Sequence, residues 1–129
     1  MRFEIATEVL TALLDTAEAA RDREICGLLF GSEGQIARAE PATNVAERPQ
    51  DTFEIDPRAL IAALRAERAG GDKLIGHYHS HPNGSAEPSP RDLAAAEPGK
   101  LWLIIGGGVA RAWILENGRF RELQLVVRD

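Results

Sequence analysis

Residues 74–92 read LIGHYHSHPNGSAEPSPRD, and the rest of the chain is best understood outward from this stretch. Leu74 to Ser80 predicts a strand, Pro82 to Pro88 is too rich in Pro, Gly, Asn and Ser for regular structure, and Ser89-Pro90-Arg91-Asp92 has the form of a helix start. There Ser89 is the N-cap, Pro90 the first helical residue and Asp92 the acid at the third position, so a short helix should run through Ala96. Side chains alternate along a strand, which puts His77, His79 and His81 on one side, with His79 and His81 roughly 6.6 Å apart along the backbone. With Asp92 brought back by the loop, two imidazoles and one carboxylate can hold a single ion and leave a fourth position open, which distinguishes a catalytic zinc site from a structural one. Such a ligand set suits zinc, other divalent metals being admissible. The expectation is one Zn2+ ion with a catalytic water, whose pKa zinc lowers to about 7. His77 is an alternative ligand in place of His81. The spacing to Ser89 favours His79 and His81 and leaves His77 as a group behind the ligands or facing the substrate.

Activated water needs a base. Glu24 is the candidate, because it opens the apolar run Ile25-Cys26-Gly27-Leu28-Leu29-Phe30-Gly31, where an ionisable group is out of place. It could take the proton and return it to the leaving amine. Ser89 is placed to donate a hydrogen bond to the oxyanion of a tetrahedral intermediate. Around these residues, Arg2 to Ile5 reads as a strand and Thr7 to Ala20 as a helix with Val9, Leu10, Leu13, Leu14 and Ala17 on one stripe. Glu24 to Gly31 reads as a buried strand, Gln35 to Ala39 as the next, and Pro41 to Gln50 as a loop. Asp56-Pro57 opens a second helix, which carries Leu60, Ile61 and Leu64 and stops at Gly70-Gly71; the apolar stripes of both helices are assigned to the core. Leu101 to Ile105, Val109 to Leu115 and Phe120 to Val127 are strands, the last two joined by an Asn117-Gly118 hairpin turn. Gly106-Gly107-Gly108 is read as a bulge or a close approach of substrate backbone. The whole is an α/β domain with a mixed sheet.

The 129 residues fit one domain, 1–129, with 44% apolar and 27% charged residues. A net charge of −5 argues against nucleic-acid binding. No apolar run spans a membrane, and the N-terminus lacks a signal peptide's pattern, so a cytoplasmic protein is expected. The single cysteine, Cys26, excludes an intrachain disulfide and reads as a small buried hydrophobe rather than a nucleophile. Glu87 reads as a solvated loop carboxylate, and Asn44 as a loop residue without an assigned role.

The pattern HxH, seven residues, Ser, two residues, Asp, after an upstream glutamate, resembles the JAMM (MPN+) family of zinc isopeptidases. The resemblance covers nearly the whole chain: Glu24 precedes a GLLxG-like strand, and Pro82 matches the HSHP core. It implies Glu24 as base, His79, His81 and Asp92 as zinc ligands and Ser89 as oxyanion donor, on a single MPN-like (cytidine deaminase-like) domain with a mixed, mostly antiparallel sheet flanked by helices. None of these five residues is missing, as one or more are in inactive members. The short Asp92-to-Leu101 segment has little room for the insertions of eukaryotic members that grip ubiquitin chains. One cysteine cannot build an accessory zinc segment, and His77 stands where the family often has a large aromatic. The chain therefore resembles a minimal, bacterial-type member.

The resemblance implies hydrolysis of the amide bond after the C-terminal glycine of a ubiquitin-like protein, in deconjugation or precursor processing, the tail binding extended near the zinc. Processing of a ubiquitin-like sulfur carrier in cysteine or cofactor synthesis is an alternative setting. So is removal of a modifier encoded in a conjugation operon, including antiphage systems. A non-catalytic MPN scaffold is opposed by the intact five-residue set. A deaminase-like hydrolase of a small amide lacks its second cysteine pair.

Overall fold

A computed structural model describes all 129 residues. In chain order the elements are β1 (Arg2–Ala6), α1 (Thr7–Ala19), β2 (Cys26–Ser32), β3 (Gln35–Ala42), α2 (Pro57–Arg68), β4 (Lys73–Ser80), α3 (Pro90–Ala95), β5 (Leu101–Gly106), β6 (Val109–Glu116) and β7 (Arg119–Arg128). The strands close into a barrel in the order β1-β3-β2-β4-β5-β6-β7, with β7 returning to β1. The β2/β3, β2/β4, β5/β6 and β6/β7 pairs are antiparallel, and β1/β3, β1/β7 and β4/β5 are parallel. The mixed, mostly antiparallel expectation is met, and closure adds what periodicity could not show. No strand is left as a fully open edge for unwanted pairing.

The two sides of β4 and β5 face different surroundings. Leu101, Leu103 and Ile105 join Tyr78, Leu29, Phe3, Ile5 and Leu13 in the main core, over which α1 packs against β1, β3, β5, β6 and β7. Trp102 and Ile104, pointing the other way, pack with Trp113, Phe53 and Phe120. Because all of Leu101–Gly106 is buried, β5 is a continuous apolar run, as expected of a strand covered on both faces.

Four expectations are corrected. Glu24 and Ile25 lie before β2, which begins at Cys26, so Glu24 is not held by a sheet ladder. Pro41 belongs to β3, opposite Gly27; β1 pairs only with Gln35 and Ile36 there, so its missing N–H removes no ladder bond on the free side. Gly107 (φ 62°) and Gly108 (φ 80°) form a tight hairpin turn rather than a bulge, like Asn117 (φ 52°) and Gly118 (φ 76°). In α2 only Ala63 is buried, while Leu60, Ile61 and Leu64 are exposed. Its two ends behave as read: the Asp56 side chain accepts from Arg58 N at 3.0 Å, and Gly70 follows with φ 96°. No helix is long and apolar enough to cross a membrane.

Candidate metal centre and active site

The end of β4, the start of α3 and the residues before β2 meet at one point. Cys26 pairs with His79, so Glu24, two residues upstream, arrives beside the histidines. His81 lies just past β4 but continues the ladder, its N–H donating to Ile105 O at 2.8 Å. The Ser89 side chain accepts from Asp92 N at 3.1 Å, and the Asp92 carboxylate accepts from Ser89 N at 2.8 Å. This reciprocal cap starts α3 and turns Asp92 back toward β4.

The polar atoms converge tightly. His79 Nε2 and His81 Nε2 are 3.0 Å apart, and Asp92 Oδ2 is 3.3 Å from the first and 3.1 Å from the second. Glu24 joins His79 and His81 in a buried group whose potential ligand atoms lie within 4.8 Å of one another. All four residues are no more than 7% exposed, and Glu24 Oε1 is buried without a hydrogen-bond partner. His81 Nδ1 lies 3.0 Å from Ser85 O. A carbonyl only accepts, so Nδ1 carries the proton and Nε2 presents its lone pair to the cluster. The loop can approach this closely because Gly106 has no side chain: a Cβ there would lie 2.3 Å from Ser85 O. Trp113 Nε1 donates to Ala86 O at 3.0 Å and holds the same loop.

His79 is fixed differently. Its Nδ1 has no partner, but Phe53 stacks on the ring at 4.2 Å and 19°, and Trp102 meets it edge-on at 5.6 Å. His77 is outside the convergent group; its ring stands edge-to-face against Trp102 at 4.4 Å.

Electrostatics follow from this burial. Burial pushes the Glu24 carboxyl up to about 7, His81 working against the rise and Asp92 adding to it. Burial also opposes ionisation of Asp92, but in the metal-free cluster, where protons on the ring nitrogens take the place of an ion, hydrogen bonding with His79 and His81 outweighs it and holds that carboxyl well below the usual range. Burial lowers His79 despite Asp92, which favours a neutral imidazole, the form that binds metal. His77 is lowered to about 4 by burial, then by His79.

Two imidazole nitrogens, an ionised carboxylate and an unpartnered carboxyl oxygen facing one another require a shared cation or protons. The spacing of about 3 Å between donors is also what tetrahedral ligands make around an ion at bonds of about 2.0–2.1 Å. The donor set therefore fits a metal. A polar cleft of about 120 Å³ opens onto it, lined by Glu24, Gln50, Asp51, His81, Asn83 and Ser89 among others.

Residues 6–117 match the family of prokaryotic homologs of the JAB domain. The chain belongs to this JAB/MPN family. Among relatives of this JAB domain, the desampylase of Haloferax volcanii is 35% identical, the match covering 98% of this chain and 96% of that protein. The probable TtuB-protein conjugate cleaving protease of Thermus thermophilus is 38% identical over 77% of this chain and 66% of its own length. The CysO-cysteine peptidase of Mycobacterium tuberculosis is 30% identical over 78% of this chain and 70% of its own. A solved protein of Desulfitobacterium hafniense superposes with a TM-score of 0.84 at 26% identity, covering 98% of this chain and 93% of the other.

Two residues around the JAB-domain site escaped sequence reading. Ser80, between the histidines, faces the opposite way, and its Oγ accepts from Ile25 N at 2.9 Å. Asn44 sits behind Glu24, donating from Nδ2 to Glu24 O at 2.9 Å. A small polar residue inside HxH and an Asn before an extended piece were the available signals, but neither has a periodic signature. Glu87 is exposed, as expected, and pairs with Arg111 at 3.3 Å.

Cys26 is 2% exposed, and burial, then Glu24, pushes its thiol up to about 12. The thiolate is the reactive form. Iodoacetamide at pH 8 should therefore leave the folded protein unmodified over a time in which the urea-unfolded chain reacts fully, as mass spectrometry would show. Stoichiometric modification of the folded chain would contradict the buried, protonated thiol.

Proposed function

We propose that this JAB domain is a zinc-dependent isopeptidase or peptidase that hydrolyses the amide bond after the C-terminal glycine of a ubiquitin-like protein. The observation that carries the reading is the buried convergence of His79, His81 and Asp92 beside the unpartnered Glu24 Oε1. The relatives named desampylase, conjugate-cleaving protease and CysO-cysteine peptidase support the substrate class.

His79, His81 and Asp92 would hold the ion. Zinc bound there would supply Lewis acidity toward the amide carbonyl and bring the pKa of water to about 7. Glu24 Oε1 takes a proton from the attacking water and delivers it to the departing amine nitrogen. Ser89 Oγ already accepts from Asp92 N, so its own proton is available to the carbonyl oxygen as charge develops there. The C-terminal tail of the substrate would lie extended near the ion. The 1–129 chain acts as a single domain in the cytoplasm.

The test uses purified zinc-loaded protein and the ubiquitin-like proteins of its own genome. Each is joined through its C-terminal glycine either to a lysine side chain of a carrier protein or to a single cysteine. Cleavage after the glycine, followed by mass spectrometry, is expected for at least one pair. The preferred leaving group separates modifier removal from processing of a carrier adduct. Full zinc occupancy with no cleavage of any substrate would instead support a binding scaffold.

A further inference from the structure

We propose that Asn44 is the positioning residue for Glu24, holding the base at its working distance from the histidines. The inference rests on the reading of Glu24 given above. Glu24 precedes β2, so no strand ladder fixes its backbone. Its two main-chain groups are instead gripped by the segment between β3 and α2: Glu24 N donates to Pro49 O at 2.6 Å, and Glu24 O accepts from Asn44 Nδ2 at 2.9 Å. Asn44 uses the rest of its amide to fold that segment on itself. Nδ2 also donates to Thr52 O at 3.1 Å, and Oδ1 accepts from Ala46 N at 3.0 Å and Glu54 N at 3.1 Å.

The amide thus makes all four hydrogen bonds open to it: two donated, two accepted. Main-chain bonds Val45 N to Glu54 O (2.9 Å) and Asp56 N to Thr43 O (3.1 Å), with the bridge between Asn44 and Ile55, close the segment independently. The contact to Glu24 is therefore the one Asn44 bond that leaves the segment. A glutamate held by a side chain rather than a ladder can be moved without unfolding the sheet. A displacement of about 1 Å at a reacting group can cost about 100-fold in rate.

The experiment compares wild type, Asn44→Ala, Asn44→Asp and Glu24→Gln, all zinc-loaded, on the best substrate found above. Readouts are kcat, KM, zinc affinity by chelator competition, and thermal melting. Asn44→Asp keeps the two accepted bonds and loses both donations, to Glu24 O and to Thr52 O; the main-chain bonds that close the segment remain, so this variant carries the test if the alanine variant does not fold. A fall in kcat of about 10–100-fold, with KM and zinc affinity within about threefold, is expected. A merely structural amide would loosen the whole segment, including Phe53 on His79, and would shift KM, zinc affinity and kcat together. That pattern, an unchanged kcat, or failure of both variants to fold overturns the proposal. A fully active Glu24→Gln overturns instead the reading of Glu24 as base, a result distinct from any of these.

Discussion

Glu24→Gln is expected to lower kcat by about 10²–10⁴-fold, the usual contribution of a positioned general base, while the protein still binds one zinc per chain. Glutamine matches glutamate in shape, so the buried position stays filled, but its amide oxygen cannot take a proton from water at neutral pH. Glu24 is 5% exposed and its Oε1 has no partner, so no hydrogen-bonded neighbour stands ready to replace it. Stability should not suffer. In the metal-free protein the folded pKa of Glu24 lies above its ordinary value, from 4.5 up to about 7. Ionising it therefore costs folding free energy as pH rises through that window. Glutamine carries no such cost, and the metal-free variant should melt no lower than the parent at pH 8. Steady-state kinetics with metal analysis checks the prediction, and wild-type turnover in the zinc-loaded variant would refute the assignment.

Asp92→Ala should be the most damaging change to metal binding. Losing an outer partner of a metal ligand already costs about 10–100-fold in affinity, so losing a ligand should exceed 100-fold. The same carboxylate accepts from Ser89 N and caps a helix only six residues long, so alanine should also destabilise by about 0.5–2 kcal/mol. Asp92→Asn separates the two effects. Its amide oxygen can still accept from Ser89 N, preserving the cap, while the charge that draws the ion is gone. Chelator competition should therefore show weak zinc binding in both variants, with the melting temperature clearly lowered only in alanine. Wild-type zinc affinity in Asp92→Asn would remove the carboxylate charge from the account.

Much of the site was legible because its logic is local. His79 and His81 share a side of a strand by simple alternation, and Ser89-Pro90-Arg91-Asp92 announces a capped helix through residues three apart. Both devices work within a few residues, and both appear as read. Glu24 was legible as an anomaly, an acid opening an apolar run, although the run becomes a strand only at Cys26. The exposed face of α2 was misread because Leu60, Ile61 and Leu64 have helical spacing whether or not another element covers them. Periodicity reports a face, not its partner. His77 shares the strand side of His79, yet only the packing of Phe53 and Trp102 shows which neighbours it meets.

The sequence alone determined the α/β character, the helix caps, the Asn117-Gly118 turn and the identities of the residues that meet at the centre. Each of these follows from backbone preferences or side-chain chemistry acting over short spans. The tertiary structure decided the closure of the sheet through β1 between β3 and β7, the reach of Glu24 across from β2 to the end of β4, and the grip of Asn44 on its backbone. These depend on pairings between distant segments, chosen by burial and hydrogen-bond satisfaction of the whole chain. No local pattern of residues records that choice.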